Sequence, residues 1–174
     1  MQIILDKKIV ADTWTHVAED AALPAAGNLI VPVSFWVKER TALAKRVGKT
    51  GVWLKGEHDP TRIDAVRDLV KLPLIAVEFA QFVDGRGFSI GRLLRERYGF
   101  KGELRAVGDV FRDTLPYLAR CGFNAFALKE GKSLDDALNA FGDFSDAYQN
   151  AVDQPLPSYR RRLAAAQAGH ARHA

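Results

Sequence analysis

A chain of 174 residues, 48% hydrophobic and 26% charged, has room for one domain with a core of its own. No apolar run approaches the roughly 18 residues of a membrane span, and a single cysteine, Cys121, excludes an intrachain disulfide framework and any cluster ligated by this chain's cysteines alone. The net charge of +4 is concentrated at the end: Arg160, Arg161, Arg162 and Arg172 stand against Asp153 in residues 150–174, which leaves the body at +1, too little for a nucleic-acid footprint on the folded surface.

In chain order, Gln2–Leu5 and Ile9–Val10 read as a small hairpin turning at Asp6-Lys7-Lys8. Those three charges also interrupt any signal-peptide core, so a cytoplasmic location is expected. Residues 15–28 read as loop. Leu29–Phe35 is a strand that Pro32, lacking an N–H, confines to an edge or an irregular course. A helix follows over Lys38–Val47, stopped by Gly48, and then a short strand at Gly51–Leu54. Asp59-Pro60 opens the next helix, with Ile63, Val66, Leu69 and Val70 on its buried face.

Leu74–Phe79 has the length and apolar content of a buried strand. A glycine-rich turn, Asp84-Gly-Arg-Gly-Phe-Ser89, leads into a helix that runs to about Tyr98. Glu103–Val107 is the fourth strand, ending at Gly108-Asp109. A helix over Val110–Arg120 contains Pro116, which bends it or marks its true start. Phe123–Leu128 is the fifth strand, and Ser133, with Asp136 three residues on, caps a last helix towards Tyr148. Pro155 and Pro157 then break the pattern, and residues 150–174 read as a basic tail, disordered or conditionally helical.

This alternation predicts an α/β fold of one domain over residues 1–149. About five mostly parallel strands would alternate with helices, beside the small N-terminal hairpin. An open sheet and a partial TIM-like barrel both satisfy the pattern. Glu78 and Arg105 lie in the middle of strands that should otherwise be apolar, which leans towards the partial barrel and suggests an ion pair across the ladder.

Candidate chemistry gathers at the carboxyl ends of the strands. In the turn, Asp84, Gly85, Arg86, Gly87 and Ser89 surround the start of a helix, where backbone N–H groups and the dipole favour an anion. Neither the Walker pattern nor a complete GxGxxG fingerprint is present. Arg105, Asp109 and Arg112 come from the next unit, and together with the turn they form the expected site for a small oxyanion. Asp109 and Asp113 are four apart but have no third acidic partner, so no metal is expected, and no redox cofactor either. Cys121, at a helix C-terminus, reads as a buried inert thiol. Of the four histidines, His58 alone lies in a strand-end loop on this side.

Three stretches carry a family resemblance: Asp84-Gly-Arg-Gly-Phe-Ser89, Leu93 through Asp109, and Leu118-Ala-Arg-Cys-Gly-Phe-Asn-Ala-Phe126. They resemble a bacterial domain-of-unknown-function family, number nine-three-four. The likeness is strongest from Leu72 to Leu128, looser from Leu29 to Asp59 and absent in the tail. Members are typically encoded beside assimilatory sulfite reductase, so the resemblance implies a role in sulfate assimilation. It brings no established catalytic residues. Two functions follow as expectations. One is an accessory protein that binds sulfite reductase through the arginine-rich face and the tail, without a redox cofactor of its own. The other is a small enzyme or sensor holding an anionic sulfur metabolite at the Gly85–Ser89 turn.

Overall fold

In the computed structural model, which describes residues 1–19, 21–81 and 83–170, six strands lie side by side in chain order and pair in parallel. They are β3 (Trp14–His16), β4 (Asn28–Pro32), β5 (Thr50–Leu54), β6 (Leu74–Phe79), β7 (Glu103–Gly108) and β8 (Ala125–Phe126). The expected hairpin, β1 (Gln2–Leu5) with β2 (Lys8–Ala11), adds to the far side of β8 and makes the sheet mixed. Eight strands therefore stand in the order β2-β1-β8-β7-β6-β5-β4-β3, where the sequence suggested about five and a hairpin.

That order has a geometric consequence. The two edge strands, β2 and β3, are separated in the chain by only Asp12 and Thr13. A flat sheet of eight strands would hold its edges about 34 Å apart at the usual strand spacing, whereas three Cα steps reach about 11 Å. The sheet has to curl, and it forms an open half-barrel whose two edges are not bonded to one another.

Helices cover the convex face: α1 (Val33–Leu43), α2 (Val66–Leu69), α3 (Arg86–Glu96), α4 (Leu115–Arg120) and α5 (Leu134–Asn139). The two-residue period of a strand divides each sequence between the faces. In β6, Ile75, Val77 and Phe79 join the main core beneath the helices, while Leu74 and Ala76 join Ile30 and Trp53 in a second, smaller cluster on the concave side. No helix of the described residues is long and apolar enough to cross a membrane.

Several elements differ from expectation for local reasons. Pro32 is not at an edge. It is the last residue of the interior strand β4, paired in register with Trp53, and it caps α1, so its missing N–H falls where the ladder ends. The first helix accordingly begins at Val33, five residues early. Asp59-Pro60 opens a single 3-10 turn, Pro60–Arg62, with the Asp59 carboxylate accepting from Thr61 N at 2.8 Å; a proper helix starts only at Val66. Pro116 marks the true start of α4, in its first turn. The last helix stops at Asn139 and passes into a 3-10 turn. Residues 158–170, read as disordered or conditionally helical, form α6 (Ser158–His170). Arg161 holds its first turn against the body through Gln154, Asp146 and the Ala147 carbonyl.

Helix α3 packs tightly against its neighbours. Its Gly87 faces the Phe79 ring, where a Cβ would come within 2.6 Å, and a Cβ at Gly91 would run into the Phe123 ring. At the other end Arg95 donates to the carbonyls of Gly122 (2.8 Å), Phe100 (2.7 Å) and Gly102 (3.0 Å) and to Asn124 Oδ1 (3.0 Å). One side chain thus satisfies acceptors at the ends of two loops. Gly91→Ala, which helix propensity alone would favour, is expected to destabilise the protein by about 1–3 kcal/mol through overpacking against Phe123. Urea unfolding of the variant checks this; an unchanged or raised midpoint would show that the ring yields.

Candidate functional site on the concave face

The residues expected at one anion site are divided among three places. At the strand-to-helix turn, Gly85 is the helix cap and Arg86 is already the first residue of α3, so Ser89 lies inside the helix and caps nothing. Arg86 closes back on Asp84, with Nε to Oδ1 at 2.9 Å, a terminal nitrogen to Oδ2 at 2.8 Å, and its backbone N–H to Oδ1 at 3.1 Å. These bonds hold the Asp84 carboxyl at about 2. Gly87 serves close packing against Phe79. The loop after β5 packs here as well: a Cβ at Gly56 would lie 2.9 Å from Asp84 Oδ2, and His58 Nδ1 accepts from Lys55 N at 2.8 Å, which closes that loop.

Arg112 lies elsewhere, forming two bonds to Asp143 at 2.8 and 3.0 Å and an ion pair with Asp136 at 3.3 Å. Asp109 accepts from Lys129 Nζ at 2.7 Å. Arg105 points to the concave side of the sheet and does not meet Glu78. The register places Arg105 beside Ala76 and Glu78 beside Val107, two steps along the same face. Arg105, only 2% exposed, is held instead by Asp12 at 2.9 Å and by Glu103 at 2.7 Å. Cys121 is buried, and burial pushes its thiol up.

The concave face is where an unexpected site forms. A cavity of about 440 Å³ opens at the carboxyl ends of β6, β7 and β8, between those strands and the segment that joins the two sheet edges. Its walls include Trp14, His16, Ile30 and Val107, and its polar groups include Glu78, Arg105, Asp12 and the Lys129–Asp109 pair. The size lies in the range of small-ligand pockets. The location agrees with the tendency of parallel α/β sheets to bind at strand carboxyl ends.

Two groups give the cavity its character. His16 packs on Trp53 with ring centroids 5.2 Å apart; burial holds its imidazole below the ordinary value, with Glu78 pulling it up and Arg105 pushing it down. Neutral imidazole is therefore the form at neutral pH. Glu78 is half-buried and makes no hydrogen bond or ion pair among the described residues. Its neighbour Lys55 is turned to Glu19 at 3.0 Å and lies over the Trp53 ring. Sequence reasoning singled out Glu78 and Arg105 as charges in mid-strand. It had no signal for Asp12 and Trp14, which follow the expected hairpin, or for His16, which lies in the stretch read as loop but belongs to β3. No group of three or more metal-ligating side chains occurs among the described residues.

Comparison with known families settles the chain's relationship. Residues 51–159 match the family described as "Bacterial protein of unknown function (DUF934)". The chain belongs to that family. The matched segment runs from β5 into the first turn of α6, so it includes Glu78 and Arg105 but not Asp12, Trp14 or His16. No curated protein and no solved structure matches the chain.

The Arg105 cluster makes a pH-dependent prediction. Glu103 is held above the usual carboxylate range by burial, while Arg105 pulls it down. A carboxyl whose folded value exceeds its unfolded one favours the folded state below the unfolded value and loses that contribution as pH rises through the folded value. Arg105→Met removes the opposing pull and leaves two largely buried carboxylates without their cation. The variant is expected to lose about 3–5 kcal/mol at pH 8, with the deficit narrowing towards pH 5 as Glu103 takes up its proton. Urea midpoints at both pH values test this, and a deficit that does not vary with pH would refute it.

Proposed function

We propose that the protein is an accessory component of assimilatory sulfite reduction, acting with sulfite reductase and carrying no redox centre of its own. The expectation that family members are encoded beside this enzyme supplies the partner. The observation that carries the reading is an exposed apolar and basic patch around the C-terminal helix. Phe144 is 75% exposed and Tyr148 74%, and Leu156, Tyr159 and Leu163 are each about half exposed. They are brought together because Ser158 N donates to the Tyr148 carbonyl at 3.0 Å and Arg161 bonds the Asp146–Ala147 turn.

Aromatic residues interleaved with arginine are the composition of interface centres, and several large apolar side chains exposed along one segment suit a partner surface. Three consecutive arginines divide their work here. Arg161 is turned inward to Asp146 and Gln154, while Arg160 and Arg162 are exposed beside the patch. An acidic rim on the partner would complement them. The buried Cys121, with its raised thiol, also suits a protein that does not transfer electrons itself. The alternative, an oxyanion bound at the Gly85–Ser89 turn, requires Arg86 to leave Asp84, and nothing in the geometry favours that exchange.

The double variant Arg160→Glu/Arg162→Glu is expected to reduce capture of purified sulfite reductase by tenfold or more, in order-of-magnitude terms, and to remove most of its salt dependence. Arg161→Ala should instead lower thermal stability. Failure of the wild-type protein to bind sulfite reductase at micromolar concentration in low salt would overturn the proposal.

A further inference from the structure

The polar groups of the concave cavity are paired in a way that leaves one sign over. Arg105 is the only arginine lining it and is already faced by two carboxylates, Asp12 and Glu103, so that cluster carries one negative charge in excess. Lys129 is matched by Asp109, and Lys55, whose ammonium feels the Glu78 charge, is matched by Glu19. The His16 imidazole, with burial holding its value down, does not neutralise Glu78 at physiological pH. Glu78 is thus a half-buried carboxylate without a bonded partner, at the end of a strand, facing a cavity with two tryptophans and a histidine nearby.

A carboxylate so placed has no bonded counter-charge in the cavity. The group that would restore the balance is a cation with donor N–H groups on a flat apolar body. Its charge would meet Glu78 in a charge-assisted hydrogen bond, and its body would lie against Trp14 and Val107. An anion would meet the opposite arrangement, since the one buried arginine among the described residues is saturated by carboxylates. We propose that the concave cavity binds a small organic cation, an aryl or alkyl amine or amidine, with Glu78 as its counter-ion.

This site lies on the sheet's concave face and does not depend on the docking reading, which concerns the C-terminal helix and a protein partner. The two can fail separately. Both are tested on the full-length protein, but only this one needs no sulfite reductase.

Benzamidine and phenethylamine serve as cationic probes, with benzoate and sulfite as anionic controls. Binding is followed by calorimetry and by quenching of tryptophan fluorescence. Trp14 lines the cavity and Trp53 stacks on the His16 that also lines it, whereas Trp36 lies in the main core beneath the helices and provides a constant background. At least one cationic probe is expected to bind in the millimolar range or tighter, with quenching and a rise in melting temperature. Glu78→Gln, which keeps the shape and removes the charge, should weaken that binding about tenfold or more. Val107→Lys, which sets an ammonium directly opposite Glu78 in the β6–β7 register, should abolish it even if Glu78→Gln folds poorly. Absence of binding by both cations, binding that survives either substitution, or equal binding of benzoate would each overturn the proposal.

Discussion

The structure is governed by a short tether. Two residues, Asp12 and Thr13, join strands that stand at opposite edges of an eight-stranded sheet. No flat arrangement can satisfy that connection, so the sheet curls and its inner face becomes a trough. The same tether then supplies the trough with chemistry. Asp12 reaches Arg105 on β7, which lies three strands in from the β2 edge, and the strand that follows carries Trp14 and His16 into the cavity wall. Curvature and polar lining have one cause.

The two faces of the sheet use their side chains differently. On the convex side, apolar residues of alternate strand positions meet helices at core density, and close approach is extreme enough that Gly87 and Gly91 have no room for a methyl group. On the concave side the apolar cluster is small and is interrupted by a charged one. Burial of Arg105 is tolerable because both carboxylates are geometrically close and oppositely charged. Glu78 has no such arrangement. The contrast between an arginine bonded to two carboxylates and, two steps away on the same face, a glutamate with no bonded partner among the described residues distinguishes scaffold from candidate site.

Much of this was legible in the sequence where the signal is local. The apolar run Leu74–Phe79, the Asp84–Gly87 punctuation and the Glu103–Gly108 strand follow from period and turn chemistry, and they form as expected. Mid-strand Glu78 and Arg105 leaned towards a partial barrel, and the sheet is a half-barrel with both residues on its concave face. Their mutual pairing was not legible. Register decides it, and a shift of two residues keeps both on one face while separating them. Asp12 was beyond reach for another reason: its partner is 93 residues away, and no local pattern announces a contact of that span. Pro32 misled because the rule against proline in a central strand concerns ladder positions, and this one occupies the final position, where the chain is already turning into a helix.

The place of the N-terminal hairpin has a consequence for how the chain assembles. β1 is made well before β8, the strand it pairs with through Ile4 with Phe126 and Leu5 with Ala125. On emerging from a ribosome it therefore waits, with Ile3 and Ile4 uncovered, until the chain has been made as far as Phe126. The parallel units between can meanwhile zip up one neighbour at a time, each closing a short crossover. Long-range closure comes last and is the slow, entropically costly event. A protein built this way carries the open β1 edge of its hairpin until β8 is made, and charges such as those of the Asp6-Lys7-Lys8 turn disfavour association with other strands in the meantime.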